Sequence, residues 1–276
     1  VSVLSRVSPL SAAGDAGRFG GKAAQLASAR RAGLPVPDGW ALGWDEVEAL
    51  VRRDRDGPEV EAALRATVAG SGPVAVRSSA VGEDSHDASF AGAHLTVLGL
   101  VGGDAVVHGV REVHASAVHP GALAYRDRLA VDGAIRMGVV VQEMVDADMA
   151  GVLFTRNPLT GADELVIEAS WGLGEAVVSG LVTPDHIRAS PDGRILETVI
   201  GEKDVAIRLT RDGVARETAV PSDLAGMPCL GHEQVRKLHG LVRACNEVYA
   251  DTAHDIEFAF VGDTLFLLQR RPITHG

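Results

Sequence analysis

Residues 74–96, VAVRSSAVGEDSHDASFAGAHLT, decide how this chain is read. The short apolar run Val74-Ala75-Val76 predicts a strand, and Arg77 closes it, followed by Ser78-Ser79. A guanidinium at a strand end can grip an oxyanion through two parallel N–H donors. The acids that follow, and the turn Ser89-Phe90-Ala91-Gly92, predict a loop whose backbone can approach the same anion closely. Thr96 can point a hydroxyl at it. The ordinary structural use of Arg77 would be a salt bridge to Glu83 or Asp84.

A second polar-ended segment lies at Asp255–Thr274. Ile256–Phe260 and Leu265–Leu268 flank Gly262-Asp263, which predicts an antiparallel hairpin. By the two-residue period Glu257 shares a face with Asp255 and Ala259, and Gln269 shares one with Arg271. Pairing of the two strands can therefore bring Glu257 and Gln269 together. A carboxylate and an amide oxygen are hard donors of the kind Mg2+ takes, the rest of its shell coming from water and phosphate. Arg271 at the strand end can reach the phosphates that such a metal bridges. With Arg77, the pattern points to a triphosphate site with metal ligands.

Two further stretches fit that chemistry. Gly20–Ala32 predicts a helix opened by Gly20-Gly21-Lys22, where free backbone amides and the helix dipole favour an anion. It is no Walker loop, because Ala16 stands five residues before Gly21 and Ala23 replaces the Ser/Thr. Gly138–Glu143 predicts a buried strand that ends at Gln142-Glu143-Met144-Val145. Adenine needs a backbone acceptor and donor beside apolar walls, which Glu143, Val145 and Met144 can supply.

The rest of the chain predicts helices at Glu46–Arg53, Pro58–Val68, Ala105–Arg128 and His232–Tyr249, and strands at Met149–Thr155 and Glu164–Ala169. Ile187–Ala189 and Ile195–Val199 predict a hairpin across Pro191-Asp192-Gly193, and Glu202–Pro228 reads as a polar linker. Strands and helices mix without a regular βαβ alternation, which favours an α+β fold with much antiparallel sheet.

The totals narrow the partners. At 276 residues the chain can bury a sizeable core. A net charge of -11 with no Lys/Arg stripe argues against nucleic acid, so an anionic ligand needs locally concentrated cations and a metal ion. Cys229 and Cys245 lack a CxxC spacing and predict reduced thiols, with a single bridge as the alternative. The opening VSVLSRVSPL predicts no signal peptide, and no run approaches the ~20 apolar residues of a membrane span. A cytoplasmic protein is expected. The ten histidines show no metal-binding spacing.

Each motif is modest alone, and their order is specific. GGKAAQLASARRAGLPVPDGWAL (20–42), residues 74–96, VVVQEMVDADMAGVLFTRNPLTG (139–161), EASWGLGEAVVSGLVTPD (168–185) and DIEFAFVGDTLFLLQRRPIT (255–274) occur in that sequence. So ordered, they resemble the nucleotide-binding domain of the phosphoenolpyruvate synthase, rifampicin phosphotransferase and pyruvate phosphate dikinase family. IGEKDVAI (200–207) and MPCLGHEQVRKL (227–238) resemble its connecting segments. The resemblance implies an ATP-grasp fold, with two lobes of largely antiparallel sheet, residues 1–141 and 142–276, enclosing ATP.

By that resemblance Lys22 and Arg77 hold phosphates, and Gly92 and Thr96 line the phosphate loop. Gln142, Glu143, Met144 and Val145 surround adenine and ribose, Glu257 and Gln269 bind Mg2+, and Arg271 stabilises the transferring phosphoryl. The family splits ATP into AMP and phosphate, passing the β-phosphoryl to a histidine on a mobile domain. No such histidine module is recognised here, so a separate histidine-carrier protein or missing domain is expected. The segment between Trp40 and Val74 is shorter than the family's, and Ala253-His254 stands where Pro-Gln is usual. Two other readings remain: a kinase or ligase acting directly on a small molecule, and a non-catalytic nucleotide sensor.

Overall fold

The computed structural model describes residues 6–82, 95–117, 136–250 and 253–273. They form two compact units: Val1–Arg31, Asp38–Met144 and Arg211–Val214 make the first, and Ala32–Pro37, Val145–Thr210 and Ala215–Gly276 the second.

The first unit holds strands β1 (Ser8–Pro9), β2 (Gly39–Leu42), β3 (Val74–Ala80), β4 (Thr96–Leu100) and β5 (Met137–Glu143). Its helices are α1 (Ala16–Phe19), α2 (Gly21–Arg31), α3 (Trp44–Arg52), α4 (Gly57–Thr67) and α5 (Gly103–Ala117). The strands join antiparallel in the order β1-β2-β5-β3-β4. Alternation sorts their side chains. Val74, Val76, Val139 and Val141 enter one apolar core with Val47 and Leu50 of α3, Leu64 of α4 and Val110 of α5. Ala75, Arg77 and Ser79 of β3, with Val140 and Gln142 of β5, point to the other face. The sequence reading ends β3 at Arg77, but it runs on through Ser78 and Ser79. Both serines are buried, and their small side chains fit a strand paired on both sides. The predicted helix Ala105–Arg128 is seen as Gly103–Ala117, its remainder lying outside the described residues.

The second unit holds β6 (Met149–Phe154), β7 (Leu165–Trp171), α6 (Glu175–Val178), β8 (Asp185–Ala189), β9 (Ile195–Val199), β10 (Val205–Leu209), β11 (Ala215–Ala219), α7 (Ser222–Ala225), α8 (His232–Tyr249), β12 (His254–Val261) and β13 (Thr264–Pro272). Six strands form an antiparallel sheet in the order β13-β12-β6-β7-β8-β9. Ile256, Phe258 and Phe260 alternate into the core, as do Leu153, Ile167 and Ile187 from neighbouring strands. Helix α8 buries Val235, Leu238, Leu241, Val242 and Cys245, the face its periodicity predicts. The α+β class with antiparallel sheets is thus the one the sequence implies.

One reading is corrected. Glu202–Pro228 is no linker: β10 and β11 pair residue for residue from Val205–Ala219 to Leu209–Ala215. The hairpin is hidden because Arg208 and the consecutive Arg216, Glu217 and Thr218 interrupt its apolar residues and lower the local hydropathy. Lys203, polar by composition, is fully buried against Asp185.

Candidate functional site

Arg77, Thr96 and Gln142 share one sheet face of the first unit. Arg77 lies opposite Thr96 on one side and Val140 on the other, and Ala75 lies opposite Gln142. Arg77 Nη1 donates to Gln142 Oε1 at 3.4 Å. Helix α2 is fixed to the same face, because Ala23 N–H donates to Ser79 Oγ at 3.0 Å. Lys22, in the first turn of α2, is only 8% exposed, and Arg77 9%. Nearly buried cations are uncommon, and in a chain of net charge -11 these two suit an anionic ligand. Gln142 is 3% exposed, and its Nε2 has no hydrogen-bond partner among the described residues. A buried amide donor beside the Arg77 guanidinium suits a ligand rich in acceptor oxygens, as a nucleoside triphosphate is.

Gly20 sets the approach of α2. Its φ is +83°, and a Cβ there would lie 1.9 Å from the Ser79 carbonyl oxygen. Gly20→Ala is therefore expected to push α2 and Lys22 off the sheet and to cost at least ~2 kcal/mol. Urea unfolding measures the loss.

At the end of β5 the backbone is already partly committed. Glu143 N–H donates to Asp38 O at 2.8 Å, and Met144 N–H to Pro73 O at 3.0 Å. Gly99 N–H, on β4, donates to Met144 Sδ at 2.9 Å. The Val145 carbonyl accepts from Ala147 N–H at 2.9 Å. Gly92 lies outside the described residues, as do Glu83 and Asp84.

In the second unit the hairpin β12–β13 sets Glu257 directly opposite Gln269 and Asp255 opposite Arg271, all four on one face. A bulge makes this so. From Val261–Thr264 to Phe258–Leu267 the strands pair in step, then Leu268 is skipped. Without that extra residue Glu257 would face Leu268, and Gln269 and Arg271 would turn to the opposite side of the sheet. The sequence reading anticipates the pair without its bulge.

Arg271 Nη2 donates to Asp255 Oδ2 at 3.0 Å. Burial pushes the Asp255 carboxyl above its usual range, Arg271 pulls it down, and the Glu257 charge pushes it up again. Sequence reading puts Asp255 on this face but gives it no role. Its partnership with Arg271 becomes legible only once the shifted register is known.

Among the described residues no three His, Cys, Asp or Glu side chains could hold a metal ion by themselves. Glu257 and Gln269 can offer two hard oxygens, which suits a cation that completes its shell from phosphate and water. Cys229 and Cys245 are free and buried, and burial lifts both thiols, that of Cys245 to about 11, so neither is a ready nucleophile.

Comparison with known proteins adds a family. The sequence profile described as pyruvate phosphate dikinase, AMP/ATP-binding domain, matches residues 58–276. A probable phosphoenolpyruvate synthase of Methanothermobacter thermautotrophicus is 43% identical over 204 residues, covering 73% of this chain and 29% of that protein. A rifampicin phosphotransferase of a Streptomyces species is 38% identical over 221 residues, 78% of this chain and 25% of that protein. A prodigiosin synthesizing transferase of Serratia marcescens is 37% identical over 283 residues, 93% and 32% respectively. The chain thus spans a third or less of the length of these relatives.

Proposed function

The chain belongs to the pyruvate phosphate dikinase AMP/ATP-binding domain family, and from that premise we propose that it is the Mg-ATP-binding phosphotransferase unit of a dikinase-type reaction, with an ATP-grasp fold. In this reading ATP yields AMP and phosphate, and a phosphoryl group passes to a histidine on a separate protein or a further domain. Lys22, Arg77, Thr96 and Gln142 would hold phosphate and ribose oxygens, with Gly92 in the phosphate loop. Glu143, Met144 and Val145 would meet the adenine. The backbone bonds of Glu143 and Met144 leave the Glu143 carbonyl as the natural acceptor for an exocyclic amine. Glu257 and Gln269 would offer oxygens to Mg2+, whose chemistry when bound is to screen phosphate charge. Arg271, aimed by Asp255, would stabilise charge on the transferring group. Such catalysis is positional and electrostatic.

The observation that carries this reading is the bulged hairpin, which gathers Asp255, Glu257, Gln269 and Arg271 on one face where a regular hairpin would separate them. The test is to mix the protein with ATP, Mg2+ and a histidine-bearing protein encoded beside it, and to separate the nucleotides. AMP formed only in the complete mixture supports the proposal; ATP that persists in every mixture overturns it. The relative named for prodigiosin synthesis favours a second reading, direct action on a small acceptor. ADP as the product would select it. A purely sensing role is disfavoured by the set Glu257, Gln269 and Arg271, which nucleotide binding alone does not require. No described helix is long and apolar enough to cross a membrane, and we place the protein in the cytoplasm as part of the same proposal.

A further inference from the structure

Among its described residues the first unit buries one acid, Glu46, in the first turn of α3. It is 5% exposed, and acids are almost never so buried without a partner. Arg18 of α1 supplies one, its Nη2 donating to Glu46 Oε1 at 2.5 Å. Glu46 Oε2 has no hydrogen-bond partner among the described residues. What it faces is another acid. A Cβ on Gly43 would lie 2.6 Å from Glu46 Oε2 and 2.6 Å from Asp45 Oδ1, so the two oxygens crowd one point, and the glycine leaves them the room. Asp45 is half-exposed, 3.6 Å from Arg18 Nε. Two carboxylates in contact do not both keep their charge. An O–H on Glu46 Oε2, donating to Asp45, supplies what the geometry lacks.

The electrostatics agree. Burial, the hydrogen bond to Asp45 and the Asp45 charge push the Glu46 carboxyl up, against the pull of Arg18. Burial works to raise Asp45 too, but the hydrogen bond with Glu46 and the Arg18 charge bring it below its usual value. Among the described residues only Asp45 and Arg18 place a charge on Glu46. The charged groups of the other elements packed on α3 are engaged elsewhere: Glu61 of α4 pairs with Arg65 and with Arg111 of α5. His114 of α5 faces Glu48 and Arg52, and Arg136, just before β5, lies 5.2 Å over the Trp44 ring. Strand β2 carries no charge.

The pair reaches the candidate site through α1. Phe19 O lies against β5, where a Cβ on Gly138 would come within 2.4 Å of it, and Arg18 ties the same helix to α3. Gly20 follows directly and closes α1, and α2 with Lys22 begins at the next residue.

We propose that Asp45 and Glu46 share one proton, and that in this state Glu46 is a positioning residue that holds Arg18, seats α1 and so sets the turn presenting Lys22. When pH climbs and the proton passes to water, two like charges face each other beside Gly43 and the seat loosens. A buried carboxyl held above its usual range stabilises the fold while protonated and ceases to as pH rises through the raised value. The shared proton stands by itself, and its effect on nucleotide binding rests on the function proposed above.

The test follows the side-chain carboxyl carbons of the unaltered protein by NMR through a pH titration, with Glu46→Gln to assign the signal. Thermal midpoints and calorimetric Mg-ATP affinities of the protein and its variants are measured over the same range. Glu46 is expected to titrate above the usual glutamate range, and Asp45→Asn to bring it back towards that range. Glu46→Gln keeps an acceptor for Arg18 and a donor for Asp45 and cannot ionise, so its midpoint should gain on that of the unaltered protein as pH rises. Glu46→Ala lacks both groups and should bind Mg-ATP about tenfold more weakly, as displacement of site groups does, while Glu46→Gln binds as the unaltered protein does in mild acid. A Glu46 signal at or below the usual range overturns the proposal, as does a Glu46→Gln variant as defective as the alanine. If Glu46→Ala fails to fold, the titration of the unaltered protein still decides. Failure of the unaltered protein to bind Mg-ATP at any pH would sink the proposed function, and the carboxyl titration would still settle the shared proton.

Discussion

Asp185→Ala is expected to cost about 3–5 kcal/mol of folding free energy, the range for breaking a buried ion pair. Asp185 and Lys203 are both fully buried and bonded to each other. Asp185 Oδ1 also accepts from Gly201 N–H at 2.9 Å, and Oδ2 from Cys229 N–H at 2.8 Å. Lys203 Nζ reaches the Gly201 carbonyl at 3.2 Å. One carboxylate thus ties the start of β8, the run after β9 and the approach to α8. Deleting it strands a buried ammonium and leaves two backbone donors short of a partner, each worth roughly 1–3 kcal/mol. Domain stabilities are only about 5–15 kcal/mol, so the unfolding midpoint should fall by roughly 6–20 °C. Asp185→Asn combined with Lys203→Met removes both charges and keeps an acceptor oxygen, and should lose less than half as much. An Asp185→Ala variant within ~1 kcal/mol of the unaltered protein would refute this account.

The same pair explains where sequence reading failed. Gly201-Glu202-Lys203-Asp204 is polar by composition, and nothing in the local pattern says that Lys203 has a carboxylate 18 residues back. Burial of a charge is decided by a distant partner, so a composition window read the region as a linker. Regular elements are otherwise legible: α2 and α8 announce themselves through period and β5 through its unbroken run of valines, and all three lie within a few residues of where the sequence puts them. The hairpin at Gly262-Asp263 was equally legible, but its register was not. Counting back from the turn pairs Glu257 with Leu268, and only the bulge moves Gln269 into place. The candidate residues are legible as ordered motifs, whereas the role of Asp255 is a cross-strand relation that no local motif carries.

The largest effects on turnover are expected at Arg77 and Arg271, and they should differ in kind. Arg77 is nearly buried and bonded to Gln142. Arg77→Ala removes a fixed cation and should lower the rate by about 10²–10³, as loss of a preorganised donor does. The fold should survive, since β3 keeps its pairing with β4 and β5. Arg271→Ala removes a guanidinium aimed by Asp255, and a loss of about 10³ or more is expected if it stabilises the transferring phosphoryl. Arg271→Lys keeps the charge but not the fork, and should recover only part of the rate. The two variants separate further with pH. In the unaltered protein Arg271 opposes the rise of the Asp255 carboxyl. Without it burial and Glu257 act alone, and the folded form holds that proton more tightly than the unfolded chain. Such a group stabilises the fold while protonated and ceases to as pH climbs through the raised value. Arg271→Ala should therefore lose little stability in acid and most at neutral pH, whereas Arg77→Ala should show no such trend. Near-normal turnover in either variant would remove that arginine from the phosphate site, and a pH-independent stability loss in Arg271→Ala would break its assigned partnership with Asp255.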